Sequence, residues 1–354
     1  MIKILVVDDS ALVRKLIGQA FSTQADFEVR FARNGREALA AIATSRPDVI
    51  TLDIHMPEMD GLACLDRIMI ETPCPVVMVS SMTAAGADAT LEALRLGAVD
   101  FVAKPTGAVS LQFDSLARPL IEKVRAAAGA RLRTSLRLRE RVRFRMGEGT
   151  RTRSSVRKAK HVPEGEGLVL VGTSTGGPPA LEALLDGLPA SFPWPIVVAQ
   201  HMPATFTGPL ARRLDGISRL GVQEVRDPTA LVQGNVYIGR GDADIIVSRR
   251  GPGLVAMAAP AQADYPWHPS TDRLVRSALN HMAPSQLIGI LMTGMGNDGA
   301  EAMALIHAGG GRTIAEAEET AVVWGMPGEL VKANAADFVE PLYRIAALLK
   351  KLVS

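Results

Sequence analysis

Cysteine is scarce: the 354-residue chain holds two, Cys64 and Cys74. Two thiols cannot build a disulfide framework or a four-ligand zinc site, so both read as buried or partly buried side chains and redox chemistry drops out. Long apolar runs are missing as well. The uncharged stretch around Pro193, Pro195 and Pro203 is too broken for a membrane span. The opening run meets Asp8 and Asp9 too soon to hold the apolar core of a signal peptide, so a cytoplasmic chain without membrane insertion is expected. No internal repeat at a solenoid period is present. Net charge of either sign is also small, at +2 from 39 basic and 37 acidic residues.

That near-balance conceals an asymmetry. Residues 131 to 160 carry 12 basic residues against Glu140 and Glu148, which is +10 and leaves −8 for everything else. The mildly acidic remainder argues against an extended nucleic-acid surface on the folded parts. Hydrophobic residues at 47% and charged residues at 21% describe an ordinary globular chain, long enough for two or three compact units.

Up to about Ala128, short apolar runs alternate with segments of helical period: Ile2 to Val7 then Ala11 to Phe21, Phe27 to Ala32 then Glu37 to Ala43, Val49 to Leu52 then Leu62 to Ile70. Val76 to Ser80 then Ala89 to Leu96, and Phe101 to Ala103 then Leu116 to Ala128, complete five βα units. Strands separated in this way form a doubly wound parallel sheet whose ligands sit at the carboxyl ends of the strands. Residues 129–164, rich in Arg, Ser, Thr and Gly, break the pattern and read as a linker. This segment admits three readings: a solvated tether, an edge strand or amphipathic piece built on Leu136, Leu138, Val142 and Phe144, or a docking arm for an acidic partner. From 165 to 354 the alternation resumes as a second α/β domain. Val236 to Ile238, Ile245 to Ser248 and Leu254 to Ala258, joined by glycine-rich turns, read as an antiparallel meander inserted into it.

Asp8 and Asp9 end the first strand, Asp53 the third, Ser80 the fourth and Lys104 the fifth. Three carboxylates gathered within a few ångströms repel by about 4 kcal/mol per pair at an effective dielectric near 20. Such a cluster needs a hard divalent cation with oxygen ligands, and Mg²⁺ is the natural candidate, with Lys104 adding a further positive charge. The chemistry this suits is in-line phosphoryl transfer onto a carboxylate. The bland alternative is a set of exposed loop acids with no common task.

In the second domain Ser174 lies between a strand and a helix, in Gly172-Thr-Ser174-Thr-Gly-Gly177, where backbone N–H groups at the helix start face a developing oxyanion. His201 follows the next strand, Ile196 to Ala199, and Asp298 follows Leu287 to Met292. A hydroxyl, an imidazole and a carboxylate on one sheet edge are the parts of nucleophilic acyl transfer. Taken singly, each has a duller reading: Ser174 and Asp298 as helix N-caps, His201 as an ordinary loop histidine. A rival function is also open, because Gly294-Met-Gly296-Asn-Asp-Gly299 matches the glycine fingerprint of dinucleotide-binding oxidoreductases, with Glu316 and Glu318 placed for a ribose contact. A regulator that binds DNA through the arginine-rich segment is a third, although no helix-turn-helix is evident.

The motifs Val-Val-Asp8-Asp9, Leu-Asp53-Ile-His-Met-Pro-Glu-Met-Asp-Gly61, Met-Val-Ser80-Ser and Phe101-Val-Ala-Lys104-Pro105 closely resemble a response-regulator receiver domain. That resemblance implies a flavodoxin-like fold over residues 1–128, Asp53 as phospho-acceptor, and Asp9, Asp53 and the His55 backbone carbonyl as direct Mg²⁺ ligands. It further implies Asp8 acting through water, and Ser80 and Phe101 shifting on phosphorylation. The stretches around Ser174, Gln200-His201-Met-Pro203, Pro269-Ser-Thr-Asp272, Leu291 to Gly299 and Gly325-Met-Pro327 resemble the catalytic domain of the chemotaxis protein-glutamate methylesterases. That likeness implies Ser174 as nucleophile, His201 as base, Asp298 as orienter, the N–H groups of Thr175 and Met295 as oxyanion hole, and no cofactor for the esterase. It demotes the glycine fingerprint to a turn presenting Met295 and Asp298. The implied substrates are methyl-glutamate, and glutamine, side chains of methyl-accepting chemoreceptors; the implied phosphodonor is a chemotaxis histidine kinase. The implied control is steric, the unphosphorylated receiver covering the active site.

Overall fold

β-Branched and aliphatic runs of five or six residues, each followed by a capped amphipathic segment, build the first unit of the chain. The computed structural model describes residues 1–81, 83–104, 109–132, 167–251 and 253–353. The chain divides into two compact units, Met1–Arg153 and Ser154–Ser354.

In the first unit the strands are β1 (Ile2–Val7), β2 (Phe27–Ala32), β3 (Val49–Asp53), β4 (Val76–Ser81) and β5 (Asp100–Lys104). They form one parallel sheet in the order β2-β1-β3-β4-β5, the doubly wound arrangement expected. Every residue of β3 is buried, as a strand covered on both faces must be. The helices are α1 (Ala11–Ser22), α2 (Gly35–Thr44), α3 (Gly61–Glu71), α4 (Ala84–Leu96) and α5 (Val109–Ala128). Ser10, Asn34, Asp60 and Thr83 cap the first four by accepting a backbone N–H three residues on. The α5 helix starts seven residues before the expected Leu116 and takes Pro119 into its interior. Val109, Leu111 and Phe113 alternate in sequence, which hides the helical period there. Cys64 and Cys74 are both buried and free, and burial pushes each thiol up to about 12.

The second unit is a seven-stranded parallel sheet in the order β15-β14-β13-β6-β7-β10-β8. Its strands are β6 (Leu168–Thr173), β7 (Ile196–Gln200), β8 (Gly221–Val225), β10 (Asn235–Gly239), β13 (Leu287–Leu291), β14 (Arg312–Glu316) and β15 (Phe338–Glu340). The helices are α6 (Gly177–Asp186), α7 (Ala204–Ile217), α8 (Thr271–Leu279), α9 (Ala300–Ala308), α10 (Met326–Lys332) and α11 (Leu342–Leu352). A separate antiparallel sheet is made by β9 (Thr229–Ala230), β11 (Ala243–Arg250) and β12 (Gly253–Pro260), ordered β11-β12-β9. The insertion is therefore present, but Val236–Ile238 is not part of it. These residues pair in parallel with β7 and β8, and all three are fully buried, which a strand of a half-exposed meander would not be. Within the expected linker at 129–164, residues 133–164 lie outside the described residues.

The topology sets the site. β6 is central, with β13 on one side and β7 on the other, and the carboxyl ends of such strands are where doubly wound sheets bind ligands. Ser174, His201 and Asp298 follow β6, β7 and β13 respectively.

Candidate functional site

In the first unit the carboxyl ends of β1 and β3 bring Asp8, Asp9 and Asp53 together, with ligand oxygens within 4.8 Å of one another. Asp8 and Asp53 are buried and Asp9 is exposed, so the cluster opens to solvent on one side. Lys104, from the end of β5, places its Nζ 2.9 Å from Asp8 Oδ2 and 2.9 Å from Asp53 Oδ1. Burial first, and then the charge of Asp8, push the Asp53 carboxyl above its ordinary value, and Lys104 offsets only part of this. Burial also opposes the charge on Lys104, but the two carboxylates outweigh it and hold the ammonium above the usual lysine value. Three converging hard oxygen donors, only partly neutralised by Lys104, fit a hard divalent metal and not a soft one.

The remaining receiver positions are distributed as the strands dictate. His55 is exposed on the loop after β3. Ser80 is fully buried and its Oγ donates to the Gly86 carbonyl at 3.2 Å, tying the end of β4 to α4. Phe101 is buried in β5. Lys123 of α5 donates to Asp100 Oδ1 and to the Phe101 carbonyl, both at 2.8 Å, and lies over the Phe101 ring.

In the second unit the acid and the base are joined. His201 Nε2 lies 2.8 Å from Asp298 Oδ2, with side-chain exposures of 8% and 3%. Burial opposes the Asp298 charge, but the His201 contact and the backbone N–H groups of Thr271 and Asp272 outweigh it and hold the carboxyl below its ordinary value. An ionised carboxylate only accepts, so His201 carries its proton on Nε2. Its Nδ1 is then the basic nitrogen, and it is buried without a hydrogen-bond partner. This is the atom left to take a proton.

Asp298 is held by more than the histidine. Ser270 Oγ donates to Oδ1 at 2.9 Å, Thr271 N to Oδ2 at 2.6 Å and Asp272 N to Oδ1 at 3.1 Å. These are the cap and first residues of α8, so the carboxylate occupies the positive end of a helix. Asp272 in turn accepts the Ala302 N–H at 2.9 Å, joining α8 to α9.

Ser174 sits in the turn between β6 and α6. Its backbone is fixed on three sides: its N–H donates to the Thr293 carbonyl, and its carbonyl accepts from Gly177 N and from Gln200 Nε2. Gln200 also donates to the His201 carbonyl and accepts from Thr173 Oγ1, so one buried amide ties the serine turn to the histidine loop. Gly294 packs directly on the serine, since a Cβ there would lie 2.8 Å from Ser174 Cβ. No hydrogen bond joins Ser174 Oγ to His201 in this conformation. Thr175 is buried and its carbonyl accepts from Thr293 Oγ1, and Met295 follows Gly294 on the same loop. Thr175 thus adjoins the serine in sequence, and Met295 follows the glycine that packs on it.

The dinucleotide reading loses Glu316, one of its two acids. Its carboxylate is fully buried and accepts the Thr293 N–H at 2.8 Å, holding the loop after β13 rather than a ribose. Sequence reasoning assigned no role to Ser270, Thr271, Gln200 or Trp267. Ser-Thr-Asp ahead of a helix is an ordinary capping signal, and nothing local says that the cap also holds the acid of a distant loop.

Comparison with known proteins follows these two units. Residues 169–349 match the CheB methylesterase family and residues 4–112 match the response regulator receiver domain. The chain is 54% identical to protein-glutamate methylesterase/protein-glutamine glutaminase 2 of Rhodopseudomonas palustris, covering 98% of this chain and 97% of that protein. It is 51% identical to protein-glutamate methylesterase/protein-glutamine glutaminase 3 of Rhodospirillum rubrum, covering 100% and 97%. Among solved structures, the CheB methylesterase catalytic domain of Thermotoga maritima is similar at 37% identity and a TM-score of 0.51, covering 52% of this chain and 98% of that one.

Proposed function

This chain belongs to the CheB methylesterase family, with a receiver domain ahead of the esterase, and from that membership we propose a phosphorylation-activated protein-glutamate methylesterase and protein-glutamine glutaminase. Its substrates are methyl-accepting chemoreceptors, its phosphodonor is a chemotaxis histidine kinase, and its place of work is the cytoplasm. Among the described residues no helix is long and apolar enough to cross a membrane. The domains run 1–128, 129–164 and 165–354 as receiver, linker and catalytic domain. The observation that carries the catalytic reading is the buried His201, bound to Asp298 through Nε2 with Nδ1 unpartnered.

Ser174 Oγ attacks the methyl-ester carbonyl while its proton passes to His201 Nδ1, and Asp298 stabilises the imidazolium that results. The N–H groups of Thr175 and Met295 receive the oxyanion. Collapse of the tetrahedral adduct breaks the bond to methoxide, which leaves as methanol with the proton from His201. Water then attacks the γ-glutamyl ester of Ser174 and gives its proton to His201; the bond from the carbonyl carbon to Oγ breaks, His201 returns the proton to Oγ, and glutamate leaves the regenerated serine. A glutamine side chain follows the same route with ammonia as the leaving group.

In the receiver, Asp9, Asp53 and the His55 carbonyl would hold Mg²⁺ directly and Asp8 through water, and the bound cation supplies charge neutralisation for phosphoryl transfer. Asp53 accepts the phosphoryl group, Lys104 neutralises part of its charge, and Ser80 and Phe101 change position in response. The test is methanol release from methylated receptor membranes, with and without acetyl phosphate. Release that needs Ser174 and rises with the phosphodonor is expected, and release indifferent to Ser174→Ala would sink the mechanism.

A further inference from the structure

His201 has a second neighbour besides Asp298. The indole of Trp267 is stacked on its imidazole, with ring centroids 5.8 Å apart and planes inclined by only 4°. Trp267 belongs to the connection between β12 and α8, and the α8 end of that connection is pinned by one buried acid. Asp244 accepts from His268 Nδ1 at 2.9 Å, from Ser270 N at 2.8 Å and from Arg273 Nη1 at 2.5 Å. Arg273 Nη1 also donates to the Pro260 carbonyl. The indole rests in addition on the loop after β13, where a Cβ on Gly296 would lie 2.7 Å from Trp267 Cζ2. A half-buried tryptophan is therefore fixed across the two loops that carry the base and its acid.

This arrangement has electrostatic content. The face of an indole is its negative region and attracts a cation within about 6 Å of the ring centroid, most strongly where water is excluded. His201 is almost dry, at 8% side-chain exposure, so its positive form is not solvated by water. We propose that Trp267 is a positioning residue that holds the His201 ring by one face and stabilises the imidazolium formed when Ser174 gives up its proton. The proposal rests on the reading of His201 as the base for Ser174. The ionisable groups on the elements packed around the histidine are Asp298 on the loop after β13, Asp272 on α8, and Asp244, His268 and Arg273, which anchor the connection bearing the tryptophan. Of these, His268 is the other imidazole, bound to Asp244 through Nδ1.

The experiment compares the full chain with Trp267→Phe and Trp267→Leu in pH profiles of kcat/KM for methanol release. Loss of the π-face disfavours the protonated base, so in Trp267→Leu the acid limb moves down by about one pH unit while the plateau falls about tenfold. Trp267→Phe keeps a π-face and stays close to wild type in both. A limb that does not move in Trp267→Leu, or a phenylalanine variant no better than the leucine one, overturns the proposal and leaves Trp267 as a wall. Should the leucine variant fail to fold, the wild-type protein still decides. An imidazolium quenches an indole stacked on it, so tryptophan emission falls along the acid limb, and this step is absent in His201→Gln and Trp267→Phe but present in His268→Gln. Emission without that step, or a step that survives in Trp267→Phe, overturns the proposal. Failure of the underlying reading looks different: Ser174→Ala then retains activity whatever Trp267 does.

Discussion

At the scale of single residues, Asp298 combines two duties that separate by measurement. As the partner of His201 it matters to rate: Ser174→Ala and His201→Ala each lower kcat by about four orders of magnitude or more, whereas Asp298→Asn leaves more activity because nucleophile and base remain. Steady-state methanol release on variants with wild-type circular dichroism checks the order. As a buried carboxylate accepting three donors besides the histidine it also matters to stability. Its folded pKa lies below the ordinary 3.8, so its stabilising contribution is present above that value and is lost as pH falls through the folded pKa. The stability advantage of wild type over Asp298→Asn is therefore larger above about pH 5 and shrinks below about pH 4 in denaturant titrations.

At the scale of elements, the start of α8 is both a helix cap and a clamp on Asp298. Ser270 Oγ accepts the Arg273 N–H and donates to Asp298 Oδ1. Ser270→Ala loses both and costs about 1 kcal/mol of stability. Asparagine and aspartate cap helices about equally well, but aspartate puts a second negative charge beside Asp298. Ser270→Asp is thus expected to lose at least about tenfold more kcat than Ser270→Asn and to melt at a lower temperature. Equal losses in the two variants would reduce Ser270 to a cap. The carboxyl ends of β1 and β3 make the corresponding prediction in the receiver. A divalent cation raises its melting temperature in proportion to the logarithm of metal concentration, and Asp9→Asn, which replaces one of three converging carboxylates with a neutral amide, weakens this at least about tenfold in midpoint. Scanning fluorimetry across a metal series reads it.

At the scale of the whole molecule, the two units carry separate chemistries in one chain, and the proposed coupling between them is tested by cutting it. Removing residues 1–130 should raise basal methanol release above that of the unphosphorylated full chain and abolish the response to acetyl phosphate. Asp53→Ala should abolish the response in the full chain without the rise that truncation brings. If the shortened chain is no faster than the full one, inhibition by the receiver is wrong. A phosphoryl group adds about −1.5 to −2 charges where Asp8, Asp9 and Asp53 already gather, and Lys104, bonded to two of the three, is placed to take up part of it.

Local pattern determined much of this protein. Apolar runs ending in Asp8, Asp53, Ser80 and Lys104 put these residues at one end of the first sheet, because a parallel sheet carries every strand's last residue to one edge. The same rule aligned Ser174, His201 and Asp298. Other features were decided only by packing. Close spacing and glycine-rich turns put Val236–Ile238 in the meander, whereas burial on both faces places it in the parallel sheet between β7 and β8. The start of α5 was hidden by an alternating stretch. The grip of Ser270, Thr271 and Asp272 on Asp298, and the stacking of Trp267 on His201, join residues 26 to 28 and 66 positions apart. Contacts between loops have no period and no fixed spacing, so they exist only once the sheet has brought its strand ends together.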